Sequence, residues 1–157
     1  MAYNSTKTQT ANTIVASNGG NFEGINVFNG STAAIVYITD NSVGTIAQTC
    51  TYNNDPTVTV EDSASLLVGD LVFGNGIPLD AKIASITNGT TIEITAQTTG
   101  GNITGPLSFE RLSNTICKFH IAADTTYFYR GFDVVCRNGI KIVSSNWANL
   151  EVFTLHN

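Results

Sequence analysis

The chain has 157 residues, 42% of them apolar and 12% charged, so it can bury a core but must cover it with mostly neutral Thr, Asn, Ser and Gly. That profile fits secreted or virion β-proteins and argues against helical cytosolic enzymes. The net charge of −5 gathers in residues 51–110, where Asp55, Glu61, Asp62, Asp70, Asp80, Glu93 and Glu110 face Lys82 alone, and no basic cluster exists for nucleic acid.

Residues 1–11 are small and polar, with no core-forming pattern, and read as an extended N-terminal arm; Met1 to Gln9 has no apolar stretch of the kind a signal peptide needs. Helical periodicity is absent. Alternating or continuous apolar runs predict strands over Thr13–Ser17, Phe22–Phe28, Ala33–Thr39, Thr57–Val60, Asp70–Phe73, Lys82–Ile86 and Thr91–Thr95. Further strands are predicted over Leu107–Glu110, Thr115–Ile121, Thr126–Val135, Gly139–Ser144 and Leu150–Leu155. Turn residues separate them, and Asn88-Gly89 predicts a hairpin, because both turn positions tolerate positive φ. Ala33–Ile38 is nearly all apolar, as for a strand covered on both faces. So many short strands imply an all-β fold, a small antiparallel β-sandwich of jelly-roll-like form interrupted by a small inserted β-module.

The predicted division is an outer sandwich of residues 12–50 plus 111–157 and an inserted module of residues 51–110. Thr49–Asn54 and Glu110–Asn114 are the expected linkers, which must lie close together as at a hairpin tip. No apolar run is long enough to cross a bilayer as a helix, so no membrane partner is expected.

Chemistry-bearing residues are few. Gly74-Asn75-Gly76 lacks the third glycine and following helix of a nucleotide loop, so Gly69, Gly74, Gly76 and Pro78 read as the turn-forming framework of the insert. His120 and Cys136 have no third orienting group and read as core or surface filler, with His156 exposed. Glu61-Asp62 and Asp55 do not have EF-hand spacing, so no metal or other cofactor is expected. Cys50, Cys117 and Cys136 are odd in number and read as free buried thiols. Tyr127-Phe128-Tyr129-Arg130 puts the tyrosines on one strand face and Phe128 with Arg130 on the other. Either Phe128 enters the core with the tyrosines along an edge, or Tyr127, Tyr129 and Arg130 anchor a contact with another subunit or a shell. Asn-X-Ser/Thr triplets at Asn4, Asn29, Asn88 and Asn102 arise by chance in such a composition.

The run Leu67-Val68-Gly69-Asp70-Leu71-Val72-Phe73-Gly74-Asn75-Gly76-Ile77-Pro78, with Lys82–Ile86 and Thr90–Thr95, resembles a β-module that decorates structural and fibre proteins of tailed bacteriophages. The flanking runs Phe22–Phe28, Ala34–Asp40, Tyr129–Val134 and Asn138–Val143 are similar to small sandwich decoration and head-associated proteins of such phages. The resemblance implies a non-enzymatic virion protein, a capsid decoration or cement protein assembled in the host cytoplasm. Its implied partners are the major capsid protein and copies of itself, a trimer by analogy. The alternative it leaves is a receptor- or glycan-binding tail or fibre module.

Overall fold

The computed structural model describes residues 4–5, 9–145, 147 and 150–156, and all their regular structure is β-strand. In chain order the strands are β1 (Asn4–Ser5), β2 (Thr13–Ala16), β3 (Gly20–Asn29), β4 (Ala34–Thr39), β5 (Ile46–Asn53), β6 (Thr57–Thr59) and β7 (Leu71–Phe73). They continue with β8 (Ile83–Asn88), β9 (Thr91–Ile94), β10 (Asn102–Glu110), β11 (Thr115–Ile121), β12 (Thr126–Cys136), β13 (Ile140–Ser144) and β14 (Leu150–His156). The chain divides into two compact units, residues 1–44 with 113–157, and residues 45–112.

The first unit has two antiparallel sheets, ordered β1-β14-β3-β12 and β11-β4-β13-β2. Numbering its strands first to eighth, one sheet runs 1-8-3-6 and the other 5-4-7-2, the strand order of a jelly roll. Between them lie Phe22, Ile25, Val27 and Val152 from one sheet and Val36, Ile38, Ile121, Ile140 and Ile142 from the other. Every residue of β4 is buried, so the apolar run of its sequence is covered on both faces. On the outer face of this second sheet β4 and β13 are covered, with Tyr37 2% and Val143 0% exposed, while Lys118 and His120 of β11 remain exposed.

β4 and β11 are hydrogen-bonded neighbours, from Ala34 opposite Ile121 to Thr39 opposite Thr115. Just beyond, Asp40 N donates to Asn114 O at 2.9 Å. Residues 45–112 therefore leave and rejoin the jelly roll at the open end of an antiparallel strand pair. The N-terminal segment, expected as an extended arm, pairs with its own chain where it is described: Asn4 and Ser5 lie opposite His156 and Leu155, and Gln9 bridges Val152.

The second unit is one six-stranded sheet, β7-β10-β5-β6-β9-β8. Its ends meet: Gly69 N donates to Ile83 O, Ile83 N to Asp70 O and Val72 N to Ala81 O, each at 2.9 Å. The sheet so curls upon itself at this end. Cys50, Tyr52, Val58, Val72, Ile83, Ile92, Ile94, Leu107 and Phe109 fill it.

Three expectations change here. Thr49–Asn54, read as a linker, is mostly the second half of β5, paired along its length with β10. β10 begins at Asn102 and runs through Gly105 and Pro106. The β8–β9 hairpin forms without positive φ at Asn88 or Gly89. Asn88 Oδ1 instead accepts Thr90 N at 2.9 Å, a side-chain turn in place of a left-handed one.

Candidate interaction surface

In β3, Ile25 and Val27 are fully buried, so the pleat turns Gly24, Asn26 and Phe28 outward. In β12, Tyr127 and Tyr129 pack on the sandwich core, which turns Thr126, Phe128 and Arg130 outward. In β14, Leu150, Val152 and Thr154 are buried, so Glu151 and Phe153 face out. Register fixes three rows across this outer face: Thr126–Phe28–Glu151, then Phe128–Asn26–Phe153, then Arg130–Gly24–Leu155.

The phenylalanines interlock edge to face. The Phe28 ring lies 5.9 Å from Phe128 at 90° and 5.7 Å from Phe153 at 82°. Phe128 is nonetheless 61% exposed and Phe28 39%. Burying one such side chain is worth roughly 1.5–3 kcal/mol, so three rings at the surface represent a large unused driving force. Between Phe128 and Phe153, the Asn26 Oδ1 atom is buried with no hydrogen-bond partner among the described residues. An acceptor in that state costs about 1–3 kcal/mol. Arg130 and Glu151 stand at opposite corners, both exposed and in no ion pair among the described residues.

The Tyr-Phe-Tyr-Arg cluster of β12 is thus split by the pleat. Phe128 does not enter the core, and the tyrosines do not reach the outer face. Tyr127 and Tyr129 stack at 5.7 Å and 8°, and Tyr129 meets Phe119 of the opposite sheet at 4.5 Å, so both serve the sandwich interior. Of the candidates, only Arg130 lies on the outer face. Phe28, Asn26, Glu151 and Phe153 were not among the sequence candidates. Their signal is apolar residues in both phases of a strand, Phe28 beside Val27 and Phe153 beside Val152.

The glycines of the insert act through backbone geometry. Gly69 has φ +92° and Gly76 φ +70°. A Cβ on Gly76 would lie 2.1 Å from Thr99 O, and one on Gly74 2.1 Å from a Leu107 methyl. Tyr52 Oη donates to the intervening Asn75 carbonyl.

Ionisable groups elsewhere have structural tasks. Asp40 accepts backbone N–H bonds from Arg137, Asn138 and Gly139 at 3.1, 2.7 and 3.2 Å, holding the β12–β13 turn. Desolvation opposes its ionisation, but the converging N–H donors outweigh it and hold the carboxyl below its ordinary value. In the insert Asp70 is 3% exposed and takes both arms of Arg111, Nε to Oδ1 at 3.0 Å and Nη2 to Oδ2 at 3.1 Å. That hydrogen bond raises the Arg111 pKa. Asp55 and Asp62 accept the N–H two residues on, from Thr57 and Ala64, which makes them turn formers.

His120 points to solvent while Cys136 is in the core, so they form no dyad. The side chain of His156 lies outside the described residues. All three cysteines are free, Cys50 and Cys136 buried and Cys117 half-buried. Desolvation, with repulsion from Glu61, pushes the Cys50 thiol up to about 11; desolvation, with Cys136 nearby, takes Cys117 to about 12. Among the described residues no three His, Cys, Asp or Glu side chains are grouped to hold a metal ion, and no helix is long and apolar enough to cross a membrane. In comparisons with known proteins, the chain matches no family model, no curated protein and no solved structure.

Proposed function

We propose that the chain is a non-enzymatic virion structural protein, a decoration protein that binds the outer surface of a tailed-phage capsid and stabilises it. The observation that carries this reading is the open Phe28–Phe128–Phe153 face, an apolar surface that a protein acting alone would leave polar. Jelly rolls recur in viral capsid and lectin domains, and the sequence of the insert resembles phage structural modules. Outside this face Asp40 holds a turn, Arg111 pairs with the buried Asp70, and the three cysteines are free, which supports a structural reading over acid–base or nucleophilic chemistry. A decoration protein works by adding contact area between neighbours, and lattice symmetry multiplies weak contacts into tight retention.

A second reading, a glycan-binding module of a tail or fibre, draws on the same face, where rings flank an amide as in sugar-stacking sites. Co-sedimentation with undecorated, expanded heads, with whole host cells in parallel, separates the two. Saturable binding to heads at a lattice-set stoichiometry is the expected result. Binding to cells alone would replace the decoration reading with the adhesin one.

A further inference from the structure

We propose that this outer face joins two copies of the chain, related by a twofold axis lying in the contact plane. The inference rests on reading the face as an assembly contact and goes further by naming its occupant. The axis runs diagonally across the three rows, from the Thr126 position through Asn26 to the Leu155 position. Rotation about it brings Arg130 of one copy over Glu151 of the other, and Glu151 over Arg130. Phe28 meets Phe128 of the second copy in both directions. Asn26 meets Asn26 on the axis.

The exposed rings and the charged corners of the face therefore find their complements in the same face. Opposite charges at opposite corners are self-complementary only under such a rotation, and a partner of another sequence would have to reproduce that pattern independently. The two Asn26 side chains, only partly exposed, meet on the axis between the paired rings. The neighbouring edge of the sheet is blunted: β12 breaks register between Arg130 and Val134, and Gly131 takes φ +87°. Such a bulge disfavours strand addition and leaves the face as the route of association. The outer face of the opposite sheet offers no comparable apolar patch: along β4 and β13 it is buried, and along β11 it exposes the charged Lys118 and the imidazole of His120.

The test is sedimentation velocity of the full chain over a concentration series. The expected species has twice the 16.7 kDa chain mass. Phe128→Asp should weaken the dimer by roughly two orders of magnitude while leaving the circular dichroism spectrum of the monomer unchanged, since the change occurs twice in one interface. Arg130→Glu and Glu151→Arg should each weaken it about tenfold, and the double charge reversal should restore it. A wild-type monomer, a trimer, a dimer indifferent to Phe128→Asp, or failure of the double reversal would each overturn the proposal. Head sedimentation of the same samples keeps the two readings apart. A dimer that ignores heads removes only the decoration role, and a monomer that binds heads removes only the twofold contact.

Discussion

Replacing Asp40 by Asn removes the charge on which three backbone N–H groups converge. Hydrogen bonds to a charged acceptor are the stronger kind, so Asp40→Asn should destabilise the jelly roll by about 1–2 kcal/mol at neutral pH. The pH dependence has a definite sign. The folded carboxyl titrates below the ordinary value of 3.8, so near that pH the unfolded chain binds more protons. The stabilisation is complete above the ordinary value and is lost as pH falls through the lowered one. Urea midpoints of wild type and Asp40→Asn should differ most at neutral pH and converge in acid; a constant gap would contradict this role. Burial governs the thiols instead. With Cys50 at about 11 and Cys117 at about 12, little thiolate exists at pH 8. Cys136 is likewise raised, mainly by desolvation. Ellman's reagent should find no rapidly reacting thiol in the native chain and all three after unfolding. A fast native phase would show that one of these sites opens.

At the level of elements, Gly69 and Gly76 form an internal control. Both have positive φ, but nothing lies within 4 Å of a Cβ on Gly69, whereas one on Gly76 strikes a backbone carbonyl at 2.1 Å. Gly69→Ala should cost the insert about 1–2 kcal/mol of backbone strain. Gly76→Ala adds displacement of the Thr99 segment and should cost at least twice as much, read from denaturant unfolding of the full chain. The same contrast shows what the sequence revealed. Strands built on β-branched or aromatic residues, such as Ala34–Thr39 and Thr115–Ile121, are legible from their apolar runs. β5 is not, because its inward positions Ile46, Gln48, Cys50 and Tyr52 mix one aliphatic residue with polar and small ones. The alternation is present but chemically faint. The first half of β10 is hidden by Gly105 and Pro106, ordinary breakers that here sit within a paired strand. Asn88-Gly89 marks a turn correctly in place but not in type, since Asn88 supplies a side-chain acceptor rather than left-handed backbone.

For the whole molecule, a sandwich holding a β-insert could be read from pattern and turn spacing. The open face could not, because it depends on which phase of β3, β12 and β14 faces inward, and cross-strand register sets that. Phe28, Phe128 and Phe153 are far apart in sequence and meet only through pairing. The insertion point leads to a further expectation. Since Asp40 N already bonds Asn114 O, replacing residues 45–112 with a short Gly-Asn turn should leave the jelly roll folded, with native-like sheet signals and cooperative melting. Failure to fold would make the insert a required part of the sandwich. The same junction bears on the order of folding. Pairing β4 with β11 across an unfolded insert means closing a loop of the whole intervening chain, whereas a curled sheet formed beforehand leaves only a few free residues to close. The difference in loop entropy is about 2 kcal/mol, or ~30-fold in rate. Refolding of the sandwich should slow by about that factor when Gly76→Ala leaves the insert unformed. An equal rate would mean that the two ends find each other without its help. The inserted sheet is then a clasp in time, and its early formation brings the two halves of the jelly roll within reach of each other.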